Sequence, residues 1–388
     1  MPLYLARWHI GPLPTTLLEN LIALTVVLYL MTLWRHRRPR PRLTNYEIPI
    51  LLLLAAGLIG IFVAPDHRGA LGIFRAYLVE PIAIFYIAVA ILDFEPAIEN
   101  LLAAWAAGAG LFAIVELGTF GQALLAGSLV PGHAAAAFDI NPNSVALYLE
   151  PLIGVASGFA LFSSGRQRRA ALTALAILLP AEVATLSRGG LLAVAALVVV
   201  ALASIREVRV RIGLLAAAAL TTALVFLLPL TGSRLTHSFD PVTGTVFGRE
   251  RIWVATLRML RDHPIFGAGL NGYQTVMAPY RLADSNLVPE PYPHNIVLTS
   301  WTELGILGAL AFVYVLFSLA VRPWFFWRRA SGIYRPLLWG TGAAFVMVAV
   351  HGLVDSPYWK NDLSLEFWML AALQVIAIGL AGKGTARA

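Results

Sequence analysis

The sequence predicts an all-α polytopic membrane protein of about eleven transmembrane helices, with one long external loop carrying an amphipathic helix. Three observations predict it. Of 388 residues, 59% are hydrophobic and 13% charged, with a mean hydropathy of +0.76, whereas soluble domains hold roughly 45–50% apolar and about 25% charged residues. Apolar stretches near the length a helix needs to cross a hydrocarbon core, about 20 residues, recur along the whole chain. The positive charges fall between these stretches, unevenly on alternate sides. Cysteine is absent, which excludes disulfide frameworks, thiolate metal sites and cysteine nucleophiles. A net charge of +7 would point to nucleic acid in a soluble protein. Here it reads as a topology signal; no nucleic-acid partner is expected, and membrane lipids are the surroundings.

In chain order the eleven stretches are 15–34, 46–64, 76–92, 97–118, 143–163, 170–186, 189–204, 212–230, 295–320, 334–354 and 363–381. Some are short or hold Pro81, Pro151 or Pro180, which membrane helices tolerate when neighbours satisfy the freed backbone groups. The first fourteen residues hold Pro12 and Pro14 and lack the basic, apolar, small-residue order of a cleavable signal. One side of the alternating topology collects seventeen positive residues: Arg35 to Arg42, Arg166 to Arg169, Arg206 to Arg211, Arg322 to Arg335, and Lys383 with Arg387. The other side has five, Arg7, Arg68, Arg75, Arg188 and Lys360, plus six arginines in the long connection 231–294. Short loops rich in Lys and Arg stay in the cytoplasm. The N-terminus is therefore expected outside, the C-terminus inside and the long loop outside. The chain reads as one transmembrane helical domain, 1–388, with the loop 231–294 forming part of the active site.

That loop is rich in Phe247, Ile252, Trp253, Met259, Leu260, Phe266 and Tyr273, a composition that speaks for order. A helix from Arg249 to Asp262 gathers Glu250, Arg251, Arg258, Arg261 and Asp262 on one arc, with Ile252, Trp253, Ala255, Leu257, Met259 and Leu260 on the rest. Such a helix lies on a membrane surface or caps the bundle. Arg249 projects into the apolar arc, where a guanidinium needs an anionic partner. A phosphate satisfies that need, and so does a membrane glutamate or snorkelling to the surface. Arg251, Arg258 and Arg261 read as a solvated stripe, Arg251 being kept as a supporting candidate.

The run Pro289-Glu290-Pro291-Tyr292-Pro293-His294-Asn295 precedes the ninth stretch. Alternating prolines favour a stiff, polyproline-type approach that would fix His294 at the external end of that helix. The positive end of the helix dipole disfavours an imidazolium, so His294 is expected to be neutral and to serve as general base. A histidine capping its own helix is the plainer reading, although Asn295 is the more natural cap. In Leu186-Ser187-Arg188-Gly189-Gly190, a short external turn holds Arg188 at the surface, for a phosphate or a lipid headgroup, with Glu182 an alternative partner. His351 and Asp355 are four apart, on one helical face. They could orient one another or an acceptor sugar, or simply make a structural hydrogen bond. Glu80, Glu116, Glu150, Glu182, Glu303 and Glu366 lie in or near the stretches, Glu150 the deepest.

Arg188, Arg249, His294, His351 and Asp355 come from separate segments, yet the topology puts all of them on the external face. Two arginines beside a histidine describe a site for a polyanion, a diphosphate foremost, next to a base, since arginine binds phosphate oxygens bidentately and stays charged. The sequence has no HExxH motif, no DxD pair and no His/Asp set at ligand spacing. The expectation is a transfer without metal or cofactor, arginine taking the part of a cation.

The run Gly248-Arg249-x-x-Ile252-Trp253, Asp262-His263-Pro264-Ile265-Phe266-Gly267-Ala268-Gly269-Leu270, Pro293-His294-Asn295 and Glu303-Leu304-Gly305-Ile306-Leu307-Gly308 resembles the O-antigen ligase and polymerase family of bacterial inner membranes. Ser187-Arg188-Gly189-Gly190 and Asn141-Pro142-Asn143 upstream, and His351 with Asp355 downstream, complete the resemblance. It implies a GT-C-type helical fold. It also implies inverting, metal-independent transfer of a glycan from undecaprenyl diphosphate to a hydroxyl acceptor at the periplasmic face, the acceptor being a glycan, lipid A-core or a protein. Matching positions would make Arg188 and Arg249 diphosphate binders and His294 the activator of the acceptor hydroxyl. The family commonly has about twelve spans with both ends inside, which departs from the eleven counted here. A competing class is a polysaccharide or lipid-linked oligosaccharide flippase, which would want polar groups through the membrane depth; here they gather at one face.

Overall fold

A computed structural model describes residues 2–11, 13–36, 43–92, 94–128, 136–227, 245–281 and 290–385. Arg37, Arg38, Arg40 and Arg42 of the expected cytoplasmic run, Pro12, the end of the eighth stretch (228–230), residues 231–244 and 282–289 of the long loop, and Arg387 lie outside them. About 80% of the described residues are helical. Each of the eleven expected stretches corresponds to a helix. In order they are α1 (Leu17–His36), α2 (Glu47–Val63), α3 (His67–Phe74) running on into α4 (Glu80–Ile91), α5 (Glu95–Leu125), α6 (Pro142–Phe162), α7 (Gly165–Ala184), α8 (Arg188–Ser204) and α9 (Val208–Leu227). The long loop contributes α10 (Thr245–Asp262) and the short α11 (Tyr273–Met277), and the chain closes with α12 (Ile296–Val321), α13 (Pro323–Phe326), α14 (Tyr334–His351) and α15 (Asn361–Thr385).

Among the described residues, six helices are by themselves long and apolar enough to cross a membrane: Leu17–Arg35, His67–Ile91, Glu95–Leu125, Pro142–Phe162, Ile296–Phe326 and Asn361–Ala381. The other five of the eleven are apolar but shorter, such as α2 and α8, or begin with charged residues, as α7 does with Arg166, Arg168 and Arg169. The protein is thus a multi-pass helical membrane protein. Residues ahead of α1, where no element is expected, form a two-stranded antiparallel hairpin, Arg7–Ile10 against Leu13–Thr16. It is tied down where Leu17 N donates to Ala6 O at 2.9 Å.

At the centre, α6 is buried along nearly its whole length and packs against α14. Helix α14 buries Trp339, Phe345 and Met347, while α12 lies along α2 and α15 along α4. Two departures from regular helix position the site. Between α3 and α4 the chain makes a π-helical turn, Arg75–Val79, just ahead of Pro81. Pro81 has no N–H to offer the carbonyl four residues back, and that carbonyl, Tyr77 O, accepts instead from Tyr358 Oη at 2.6 Å. A slipped ladder near a proline, repaired by a neighbouring side chain, is how membrane helices accommodate it.

The second departure is in α12, which breaks at Gly305 (φ 69°, ψ −179°), backbone that only glycine adopts readily. The break frees backbone groups, and the segment after α10 takes them: Ala268 N donates to Thr302 O at 2.7 Å and Ile306 N to Ile265 O at 2.9 Å. The same segment is anchored by Leu270 N to Gly60 O at 3.2 Å and by Asn271 N to Glu303 Oε2 at 2.7 Å. A length of the long loop is therefore stitched into the gap in α12, and this fixes where α10 sits over the bundle. Gly305→Ala is expected to cost about 1–3 kcal/mol, because a Cβ here meets both unfavourable φ and the Ile265–Phe266 backbone. Thermal unfolding of the detergent-solubilised protein measures it; an unchanged midpoint would show that the break is not strained.

Candidate active site

The N-termini of α6, α8 and α12 and the C-terminus of α14 meet at one end of the bundle. Ile296 N donates to Gly352 O at 2.7 Å and Asn295 Nδ2 to Leu353 O at 3.0 Å, tying the start of α12 to the turn after α14. Asn295 is the N-cap, its Oδ1 accepting from Val297 N and Leu298 N at 3.0 Å each. His294, one residue before the cap, has φ 51°, a left-handed conformation uncommon outside glycine. The chain therefore turns sharply at this residue, departing from the extended approach expected from the prolines. Trp253 Nε1 of α10 donates to Pro293 O at 2.8 Å, so the amphipathic helix holds the same segment from above.

On α10 the buried residues are Ile252, Ala255, Thr256, Met259 and Leu260, while Leu257 is exposed, a stripe at the three-and-four spacing of a packed helix. Arg249 continues this stripe by one turn and reaches Asp355, with Nη2 3.5 Å from Oδ2. Asp355 Oδ2 also accepts from Asn143 Nδ2 at 3.1 Å. Its other oxygen, Oδ1, takes the Ser356 N–H at 2.8 Å and faces His294 Nδ1 at 3.1 Å. Glu290 Oε2 stands 3.3 Å from the opposite ring nitrogen, His294 Nε2. Three segments distant in sequence thus supply one row of alternating charge, Arg249, Asp355, and His294 with Glu290, and a fourth places Asn143 beside it.

This row sets the protonation states. Burial disfavours an imidazolium at His294, but the hydrogen bonds and charges of Asp355 and Glu290 outweigh it and raise its pKa from 6.5 to about 9. The expectation of a neutral resting His294 is overturned: two carboxylates in contact outweigh the partial charge of a helix end. Burial likewise works against the Asp355 carboxylate. The His294 hydrogen bond and charge, with Arg249 adding to them, hold its pKa at about 2 instead. At Arg249 burial lowers the pKa while Asp355 and Glu290 oppose the shift.

His351 and Asp355 do not orient one another through their side chains. His351 is fully buried and its Nδ1 lies 2.5 Å from Glu150 Oε1, on the centre of α6. Arg188 opens α8, where Ser187 Oγ caps the helix by accepting from Gly190 N at 3.2 Å. A Cβ on Gly189 would strike the His351 ring, so only glycine lets α8 seat this closely and bring Arg188 to the same end of the bundle. Arg251 lies two positions beyond Arg249, about 200° around the helix, away from the face that meets Asp355. Sequence reasoning did not single out Asn143, Glu290 or Glu150 as site residues. The four-residue spacing of Glu290 and His294 was the available signal for one of them; Asn143 and Glu150 depend on contacts 212 and 201 residues apart.

Residues 170–313 match the family model described as O-antigen ligase, the family that the sequence resembles. The matched region contains Arg188, Arg249, Glu290 and His294, and it includes both sides of the break in α12. No curated protein matches the chain.

Proposed function

We propose that this chain, with its O-antigen ligase domain, is a glycosyltransferase that moves a glycan from undecaprenyl diphosphate to a hydroxyl acceptor, as a ligase or polymerase. It would work without a metal, at the periplasmic face of the bacterial inner membrane, with its N-terminus outside and its C-terminus inside. The observation that carries the reading is the convergence of Arg249, Asp355 and His294 from three separate segments. In this reading Arg188 and Arg249 hold the diphosphate, where fixed guanidinium groups stabilise the charge that develops as it leaves. Asp355 fixes a proton on His294 Nδ1, so Nε2 is the atom that takes the acceptor proton. Attack of the acceptor oxygen on the anomeric carbon, in line with the departing diphosphate, inverts that centre. His351 and Arg251 support the site from its edges, His351 by seating α8.

Product analysis tests this. Purified protein in liposomes, given a lipid-linked oligosaccharide, should form a new glycosidic bond and release lipid diphosphate. A flippase would move the same lipid unchanged. The pH dependence has a definite sign. A base must be unprotonated to act, and His294 in the free protein holds its proton up to about pH 9. The value of kcat/KM for the acceptor should therefore rise about tenfold per pH unit from 6 and level off near 9; a flat profile across this range removes His294 as base.

A further inference from the structure

The proposed base is occupied. Nδ1 of His294 is engaged by Asp355, and Nε2, the only nitrogen left for an acceptor hydroxyl, faces Glu290 Oε2 at 3.3 Å. Asp355 cannot substitute as base, because each of its oxygens already accepts from two donors or cations: Ser356 N and His294 on one, Asn143 and Arg249 on the other. Among the described residues, the charged groups facing His294 are Asp355, from the turn after α14, and Glu290, from its own segment, with Arg249 of α10 reaching it only through Asp355. Glu290 is the more exposed of the two carboxylates, 39% against 11%, so it is the partner that can swing away.

Resting on the transferase reading, we propose that Glu290 is a specificity-determining residue: it covers His294 Nε2 before the acceptor binds, and a sugar acceptor that displaces it uncovers the base. A carboxylate in contact keeps the imidazole charged; its departure lets Nε2 give up its proton to solvent and become an acceptor. The acceptor hydroxyl then loses its proton to Nε2 as its oxygen bonds to the anomeric carbon. The bond from that carbon to the diphosphate oxygen breaks, and its electron pair leaves with the lipid diphosphate. Glu290 is not consumed and returns over the protonated ring. Water, which makes too few contacts to displace a carboxylate, finds no base, and the lipid-linked donor is spared hydrolysis.

The test compares wild type, Glu290→Gln and Glu290→Asp in the liposome assay, with lipid-linked oligosaccharide and with or without acceptor. In the wild type, kcat should level off at a lower pH than kcat/KM, because kcat reports the complex in which Glu290 has moved. In Glu290→Gln the kcat/KM profile should shift about one pH unit to acid, and donor hydrolysis without acceptor should rise about tenfold at pH 7. Glu290→Asp should restore part of both. Nitrogen NMR of the His294 ring, which needs no substrate, should show the same acid shift in Glu290→Gln and serves as a check on folding. An unmoved profile and unchanged hydrolysis in an active Glu290→Gln protein would overturn this inference and leave the transferase reading intact. Loss of transfer and hydrolysis alike at every pH, in a protein whose His294 still titrates, would make Glu290 itself the base and also overturn it. A wild type that releases no lipid diphosphate at all would overturn both.

Discussion

His294→Ala is expected to lower glycan transfer by about 10²–10⁴-fold, the usual contribution of a positioned acid–base group, while donor binding changes only a few-fold. The split follows from the separate partners in the row. Removing the imidazole takes away the proposed base, but Asp355 keeps Asn143, the Ser356 N–H and Arg249. The guanidinium proposed to hold the diphosphate therefore stays in place, and the buried carboxylate is not left without donors. The left-handed φ of 51° at this position is unfavourable for alanine, so a modest loss of stability should accompany the loss of rate. Single-turnover transfer and donor binding on the same preparation separate the two effects. Full transfer by purified His294→Ala protein would end the assignment of His294 as base.

The helices were legible because apolar length is itself a helix signal in a membrane protein: each of the eleven stretches corresponds to a helix, and among the described residues six of these are by themselves long and apolar enough to cross a membrane. Their irregularities were not. Glu303-Leu304-Gly305-Ile306 sits within the ninth expected stretch, and a single glycine inside a helix is ordinarily absorbed by it. It breaks because residues 264–271, some forty positions upstream, supply substitute hydrogen bonds, and no local pattern records such a partner. The N-terminal hairpin was missed for the opposite reason, since two four-residue strands carry too little periodicity to read. In the site, Arg249, His294 and Asp355 were identifiable from residue type and from the end of the helix each occupies. Their pairing was not: the spacing of His351 and Asp355 put both on one face, whereas the fold turns His351 inward to Glu150 and Asp355 outward to Arg249 and His294. The charge on His294 followed from that pairing, which is why the helix-dipole argument alone gave the wrong sign.

Asp355→Asn should have the second largest effect, and on two measurements at once. Its carboxylate is the one group shared by Arg249, His294 and Asn143. An amide in its place can turn its own N–H toward His294 Nδ1 and select the wrong tautomer, leaving the proton on Nε2, where the base must be bare. Losing the carboxylate that orients a catalytic histidine costs up to about 10⁴-fold in rate, and a loss of about 10²–10⁴ is expected here. The stability change has a definite pH window. Asp355 has a folded pKa lowered from 3.8 to about 2, so its contribution is complete above about 4 and is lost as pH falls through 2. His294 is raised from 6.5 to about 9, so its contribution is complete below about 6.5 and is lost as pH rises through 9. Both shifts describe largely the same contact and count once, on the order of 2–3 kcal/mol, with Glu290 supplying part of the His294 shift. The wild type should exceed Asp355→Asn in thermal stability most between about pH 4 and 6.5, and the gap should narrow above pH 9 as the imidazolium is discharged. A gap that is constant across this range would mean that Asp355 stabilises the fold through Asn143 and Ser356 alone, without ion pairing to His294.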